Sequence, residues 1–307
     1  MTIRMAVTGA WGWLGSHLLP ALERAGATPL PLTGEVRDPA TYGVGSFAML
    51  VHLAAALPAV MQRDGAAARA VNVDGTRAAL AACAARGAGL VFASTAGVYD
   101  PRARGRLDES APIAPPTPYG ESKRAAELLC LDWSRRTGLP VTILRFFNLY
   151  GPGQSPEQLP GYLVQQVRRG EPILLRHPES RRDFLHVEDA VAALVVAAER
   201  SQSGGHCYNV GSGMAVAVGE LAHLAAQGRV PVVAEDPGLA ETAPWSCADC
   251  GAIRRDLGWQ PAIDLEQGLA DWIKRMDEVH RGWGDRAESV GRCGMVWDTV
   301  SADRRTR

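Results

Sequence analysis

Tyr119 and Lys123 stand four residues apart in TPYGESKRAAE, at the start of a helical pattern that follows the proline-rich run ESAPIAPPTP. Residues i and i+4 share one helical face, so the phenol and the ammonium can converge on one ligand. A nearby ammonium favours the phenolate and lowers a tyrosine's pKa from about 10 towards values useful for proton transfer. Tyr119 can then give or take the proton of a hydroxyl, while Lys123 tunes it and hydrogen-bonds a cofactor ribose. Upstream, VFASTAGVY reads as a buried strand ending in Ser94 and Thr95, two hydroxyls where the strands of a parallel sheet deliver catalytic groups.

A second constellation opens the chain. VTGAWGWLGSHLL carries Gly9, Gly12 and Gly15 directly after an apolar run and directly before an amphipathic one. Glycines there let the backbone turn tightly and approach a pyrophosphate, whose charge meets the free N–H groups of a helix start. A dinucleotide fold usually ends its second strand in an acid that binds the adenosine ribose. This one ends in LPLTG; the next acids are Glu35 and Asp38, placed to line the adenine pocket. Nothing at the usual place repels a 2′-phosphate and Arg37 can attract one, so NAD and NADP both stay open.

The elements that must position these groups follow from the patterning. Short apolar runs (IRMAVTG, TPLPL, AMLVHLAA, GLVFAST, VTILRFFNLYG) alternate with helical ones (LGSHLLPALERAG, VNVDGTRAALAACAARG, YGESKRAAELLCLDWSRRTG). That alternation predicts an α/β fold, a doubly wound parallel sheet with helices on both faces. Beyond Tyr150, Gly- and Pro-broken segments with short helices such as 161–169 and 218–227 suit a smaller lobe closing over the carboxyl ends of the strands. The expected division is a dinucleotide-binding domain over 1–150 and a substrate-binding lobe over 151–280, with about 183–212 returning to the first. A mobile tail is expected over 281–307, where Gly, Arg, Asp and Ser mix without apolar periodicity.

The chain's 307 residues are 47% hydrophobic, enough for a large core, and its formal net charge of -1 gives no long-range pull on nucleic acid or anionic membranes. The N-terminus lacks a secretory pattern, and AVAALVVAA, Ala190 to Ala198, is about half a membrane span. Six cysteines without framework spacing suit reduced thiols in cytoplasm, and Cys247 and Cys250, a single CxxC, read as ordinary thiols rather than metal ligands.

With VTGAWGWLG, HLAA, VNVDGT, VFASTAGVY, PYGESKRAAE, LRFFNLYGPGQ, RRDFLHVEDA, YNVGSG and DLGWQPAIDLEQGL in this order, the chain resembles an extended short-chain dehydrogenase/reductase of the NAD-dependent epimerase/dehydratase family, to about Lys274. The resemblance implies a nicotinamide cofactor, NAD or NADP, on the N-terminal domain and a nucleotide-diphosphate sugar in the C-terminal lobe. It implies Thr95 as the catalytic hydroxyl with Ser94 second, Tyr119 as acid/base and Lys123 as the ribose-binding lysine. The cofactor set becomes Gly9, Gly12, Trp13, Leu14 and Gly15, then Glu35 and Val36, then Leu53, Ala54 and Ala55, with Tyr119 and Lys123. Asn148 matches a substrate-contacting asparagine and Arg182 an arginine on the substrate diphosphate. A homodimer through N-terminal-domain helices is expected by the same analogy.

Two departures narrow the chemistry. Members that eliminate water carry an Asp-Glu pair after the catalytic threonine, where this chain has Ala96 and Gly97, which disfavours a 4,6-dehydratase. A second diphosphate arginine of the family falls in DPGLAE, at Leu239 and Ala240 here; Arg176 or Arg181 can compensate, or the substrate is smaller. His52 is read as a packing residue beside the cofactor. Asn72 bonds backbone or water behind the site, or makes a plain helix-interior contact. His186 and His223 show no partner in the sequence, and Trp11 and Trp13 are expected to pack the first helix on the sheet. The function expected is a 4-epimerase or ketoreductase of a nucleotide sugar. The alternatives are a reductase of a smaller alcohol or ketone and, last, a cofactor-sensing protein.

Overall fold

The computed structural model describes residues 2–234 and 245–287. The chain runs β1 (Arg4–Thr8), α1 (Trp13–Arg24), β2 (Thr28–Pro31), β3 (Met49–His52), α2 (Pro58–Arg63), α3 (Gly65–Ala84), β4 (Gly89–Thr95), α4 (Pro118–Thr137) and β5 (Val141–Phe146). It continues through β6 (Asn148–Tyr150), α5 (Leu159–Arg169), β7 (Ile173–Leu175), β8 (Arg181–His186), α6 (Val187–Glu199) and β9 (Gly205–Val210). Last come β10 (Ala215–Ala217), α7 (Val218–Ala226), β11 (Val232–Ala234), β12 (Trp245–Ser246), α8 (Gly251–Leu257) and α9 (Leu265–Ala287).

Six strands form one parallel sheet in the order β2-β1-β3-β4-β5-β9. The doubly wound, Rossmann-like fold expected from the patterning is present. The side-chain period of two sorts each strand between two cores. Met5, Val7, Val51, Val91 and Leu144 meet Leu18 and Leu22 of α1 and Ala190 and Leu194 of α6. Ala6, Leu50, Leu90, Phe92 and Ile143 meet Leu80 and Cys83 of α3 and Ala126, Cys130 and Trp133 of α4. The order reverses between β1 and β3, so the crevice at their carboxyl ends is where such a sheet receives a ligand.

β2 shows how composition selects a place. Thr28 and Leu32 donate to the carbonyls of Ile3 and Val7, so the alternate positions Pro29 and Pro31 face away from the ladder. A strand with two missing donors fits only the edge.

The run VTILRFFNLYG, expected as one strand, is two. β5 stays in the main sheet, and after Phe147, whose N–H bonds Val210 O, β6 pairs instead with β8. β8 centres a small sheet with β10 and β12, while β7 pairs with β11. Leu163, Val167, Leu221, Ala225, Leu269 and Trp272 of α5, α7 and α9 pack together over this part. Within the expected mobile tail, 281–287 continue helix α9; residues 288–307 lie outside the described residues. No described helix is long and apolar enough to cross a membrane.

Candidate active site

The glycine loop leaves β1 at the crevice. Gly9 has φ +66°, and a Cβ there would stand 2.8 Å from Ala54 N, so the turns after β1 and β3 nearly touch. A Cβ at Gly15 would run into Gly9 O, which lets α1 start against the turn. Gly12 is the N-cap and offers no side chain, so the first N–H groups of α1, from Trp13, Leu14 and Gly15, face the crevice without a side-chain cap. A bare helix start over a backbone that only glycine allows fits a pyrophosphate. The two tryptophans depart from expectation. Trp11 is 70% exposed, and the half-buried Trp13 donates from Nε1 to Pro152 O at 2.7 Å.

Beyond β2, Glu35 and Arg37 form an exposed pair at 3.1 Å, so the guanidinium expected to draw a 2′-phosphate already holds a carboxylate. Asp38 caps the following turn by accepting from Ala40 N at 2.9 Å. Val36 is buried against Gly75, where a Cβ would sit 2.7 Å from its methyl.

Behind Leu53, Ala54 and Ala55 runs a closed hydrogen-bond chain. Asn72 accepts from Ala56 N (2.7 Å) and donates to Ala56 O and Ser122 Oγ, and Ser122 donates to Tyr119 O. His52 lies between Thr8 Oγ1 (2.7 Å, on Nδ1) and Thr76 Oγ1 (3.3 Å, on Nε2). Thr76 donates to Asn72 O, so its oxygen accepts from Nε2–H and His52 Nδ1 accepts from Thr8. Burial, then the Lys123 charge, lowers the His52 pKa to about 3 and keeps the ring neutral.

α4 starts where Thr117 accepts from Gly120 N and Pro118 occupies the first turn. A Cβ on Gly120 would strike Gly97 O, so this first turn lies directly on the turn after Thr95. Thr95 Oγ1 accepts from Gly97 N at 3.1 Å, and its O–H makes no hydrogen bond among the described residues. Tyr119 is half-buried, and its hydroxyl likewise makes none. Burial pushes its pKa up to about 12. Lys123 is fully buried over the Phe92 ring (4.7 Å), donates to Ala93 O at 2.7 Å, and is lowered by burial to about 8. In this geometry the Lys123 ammonium is turned into β4, and the raised pKa of Tyr119 has burial as its cause.

Ser94 is corrected too. It lies on the opposite side of β4 from Thr95 and donates to Glu127 Oε1 at 2.6 Å. Glu127 also receives Arg145 Nε and Nη2, both at 2.9 Å, and Arg124 Nη1. Arg145 in turn reaches Tyr99 OH, which donates to Asn209 Oδ1. Burial opposes the Glu127 charge, yet Arg145, Ser94 and Arg124 together hold its pKa below the ordinary value. This buried network was not foreseen, although Glu127 continues the spacing of Tyr119 and Lys123, and Arg145 is a lone charge inside an apolar strand.

In the small sheet, Asn148 Nδ2 donates to Asp183 O, fastening β6 to β8. Asp183 accepts from the N–H groups of Ser212, Gly213 and Ala248 and from Ser212 Oγ, a hub the sequence reading also missed. Arg182, its neighbour, makes no hydrogen bond or ion pair among the described residues, and burial lowers its pKa. Arg181 donates to Ala215 O and lies over Trp245, 5.9 Å from its ring centre. Leu239 and Ala240 lie outside the described residues. His186 is not without a partner: it caps α6 by accepting from Glu188 N.

The sequence matches the model of the NAD dependent epimerase/dehydratase family over residues 44–211. The chain belongs to this family. As a family member it is an NAD(P)-dependent enzyme of the extended short-chain dehydrogenase type, with NAD or NADP as cofactor. Among curated relatives, a GDP-6-deoxy-D-mannose reductase of Pseudomonas aeruginosa is 30% identical over 306 residues, covering 91% of this chain and 100% of that protein. A dTDP-glucose 4,6-dehydratase of Streptomyces griseus is 29% identical, covering 95% and 99%. The match to an uncharacterized UDP-glucose epimerase of Bacillus subtilis, 28% identical, spans 62% of this chain and 61% of that protein. Among solved structures, MoeE5 in complex with UDP-glucuronic acid and NAD superposes with a TM-score of 0.81 at 30% identity, over 90% and 99% of the two chains. RMD from Pseudomonas aeruginosa complexed with NADPH gives 0.80 at 28%, over 89% and 100%.

Cys247 is buried and Cys250 half-buried. Burial raises the pKa of both thiols, that of Cys250 to about 12, and Cys250 donates to Gly211 O at 3.3 Å.

Proposed function

We propose that this chain reduces a ketone on the sugar of a nucleotide diphosphate sugar, with Arg182 on the diphosphate, Asn148 on the sugar, Thr95 and Tyr119 at the reacting carbonyl, and Lys123 on the cofactor ribose. Arg182 carries the reading: a partly buried guanidinium with no hydrogen-bond or ion-pair partner among the described residues costs free energy that an anionic ligand offsets. An arginine fork matches phosphate oxygens, so the anion favoured is a diphosphate.

Gly9, Gly12, Trp13, Leu14 and Gly15 hold the cofactor pyrophosphate, and Leu53, Ala54 and Ala55 flank it. The nicotinamide supplies the hydride. Thr95 donates its free O–H to the carbonyl oxygen and orients it. Tyr119, kept protonated by burial, gives that oxygen the proton that completes the alcohol. A 4-epimerase, the second reading, would use the same groups, with Tyr119 first taking the proton of the alcohol and then returning it. Ala96 and Gly97 offer no carboxylates for elimination of water.

Calorimetry with UDP, GDP and dTDP tests the anion. The parent should bind at least one of them, and Arg182→Met should weaken it by about 1.5–3 kcal/mol, the range for hydrogen bonds to charged groups. A parent that binds none of the three at millimolar concentration moves the reading to a smaller alcohol or ketone.

A further inference from the structure

The carbonyl of Pro152 receives two donors from α1. Trp13 Nε1 stands 2.7 Å from it and His17 Nε2 3.1 Å. A carbonyl only accepts, so His17 carries its proton on Nε2, and both lone pairs of Pro152 O are engaged. The flanking residues make this aim possible. Gly151 has φ +146° and Gly153 φ +80°, conformations that side chains rarely adopt, and a Cβ on Gly151 would stand 2.6 Å from a methyl of Val187. Gly153 lies under the indole, where a Cβ would be 3.5 Å from Trp13 Cδ1. The two rings meet edge-on, their centres 6.1 Å apart.

What the turn joins gives the contact its meaning. Trp13 is the first residue of α1, inside the loop that takes the pyrophosphate. Pro152 follows β6, which carries Asn148 and is paired to β8, the strand of Arg182. The contact is thus a direct polar tie between the cofactor loop and the strand pair bearing the substrate residues. Few aromatic residues allow it: phenylalanine would fill the same space with no N–H to donate.

We propose that Trp13 and His17 latch the turn 151–153 to α1, so that ordering of the glycine loop by cofactor also orders β6 and β8 and raises affinity for the substrate. These are positioning residues. The substrate half rests on the nucleotide-sugar reading above; the latch itself does not. By linkage, whatever the cofactor does to the strand pair the substrate does in return to cofactor affinity, and such couplings typically span a factor of about 5–150.

The test is amide hydrogen exchange across 148–158 with and without saturating NADH or NADPH, on the full chain. In the parent, cofactor should slow exchange there at least about fivefold. Trp13→Phe should abolish the protection. Because Trp13 also touches the cofactor site, His17→Leu gives an independent arm: cofactor still binds, yet protection falls, and His17→Gln, which restores an N–H of similar reach, recovers it. A parent whose 148–158 segment ignores the cofactor overturns the latch, as does His17→Leu protected as fully as the parent. Calorimetry on the parent with UDP, GDP and dTDP separates the two readings. Diphosphate binding at least about fivefold tighter with cofactor supports the coupling, and equal affinity overturns its substrate half. Exchange protection without any diphosphate binding keeps the latch and removes the nucleotide sugar.

Discussion

Arg145, on β5 of the main sheet, and Arg182, on β8 of the small sheet, have opposite surroundings. Arg145 reaches two oxygens of Glu127, the hydroxyl of Tyr99 and the carbonyl of Glu109. Arg182 reaches nothing among the described residues. The same division separates Tyr99, bonded to Asn209 and Arg145, from Tyr119, and Ser94, bonded to Glu127, from Thr95. Polar groups whose bonds are complete build the frame, and groups left incomplete mark where a ligand completes them.

The largest effect that would break this division is on Tyr119. Tyr119→Phe removes the proton donor and little packing, so turnover should fall roughly 10²- to 10⁴-fold while cofactor affinity barely changes. Steady-state kinetics within threefold of the parent would place Tyr119 with the frame. Next comes Arg145→Met, which takes two of the four donors from the buried Glu127 carboxylate, leaving it Ser94 and Arg124, and should lower unfolding free energy by about 3 kcal/mol in urea titration. Arg182→Met should leave that free energy within about 1 kcal/mol of the parent or raise it, because it removes a partly buried charge that has no partner among the described residues. Equal losses in the two variants would erase the contrast.

The smallest effect concerns His52, a paired group with one workable protonation state. Its pKa of about 3 lies below the ordinary value of 6.5, so between those limits the unfolded chain binds the extra proton. Its contribution is whole above pH 6.5 and is lost as pH falls towards 3. Between pH 7 and 5 the parent should lose about 2 kcal/mol more than His52→Gln, measured by urea unfolding at each pH. Parallel losses would mean that the ring accepts its proton in place.

Much of this was legible in the sequence, because it rests on local signals. Strand periodicity, the glycine spacing, and the Thr117–Pro118 start that presents Tyr119 and Lys123 on one face all act within a few residues. What escaped depends on distant partners. Ser94 and Thr95 are adjacent and chemically alike, and only Glu127, brought in from α4, decides which hydroxyl is free. The direction of Lys123 was lost for the same reason: burial over Phe92 and the carbonyl of Ala93 outweigh its spacing from Tyr119. The split of VTILRFFNLYG turns on Val210, far along the chain, which takes the N–H of Phe147.

That last connection has a consequence for how the protein is made. β5, wholly buried in the finished sheet, has β9 as its outer neighbour, and about sixty residues must be synthesised between them. At ribosomal rates the outer side of β5 therefore stays bare for on the order of ten seconds, an apolar strand with unpaired amides. A nascent chain whose emerged part ends near residue 200 should hold five of the six strands and stick to chaperones or to its own kind, and emergence of β9 should end that adhesiveness.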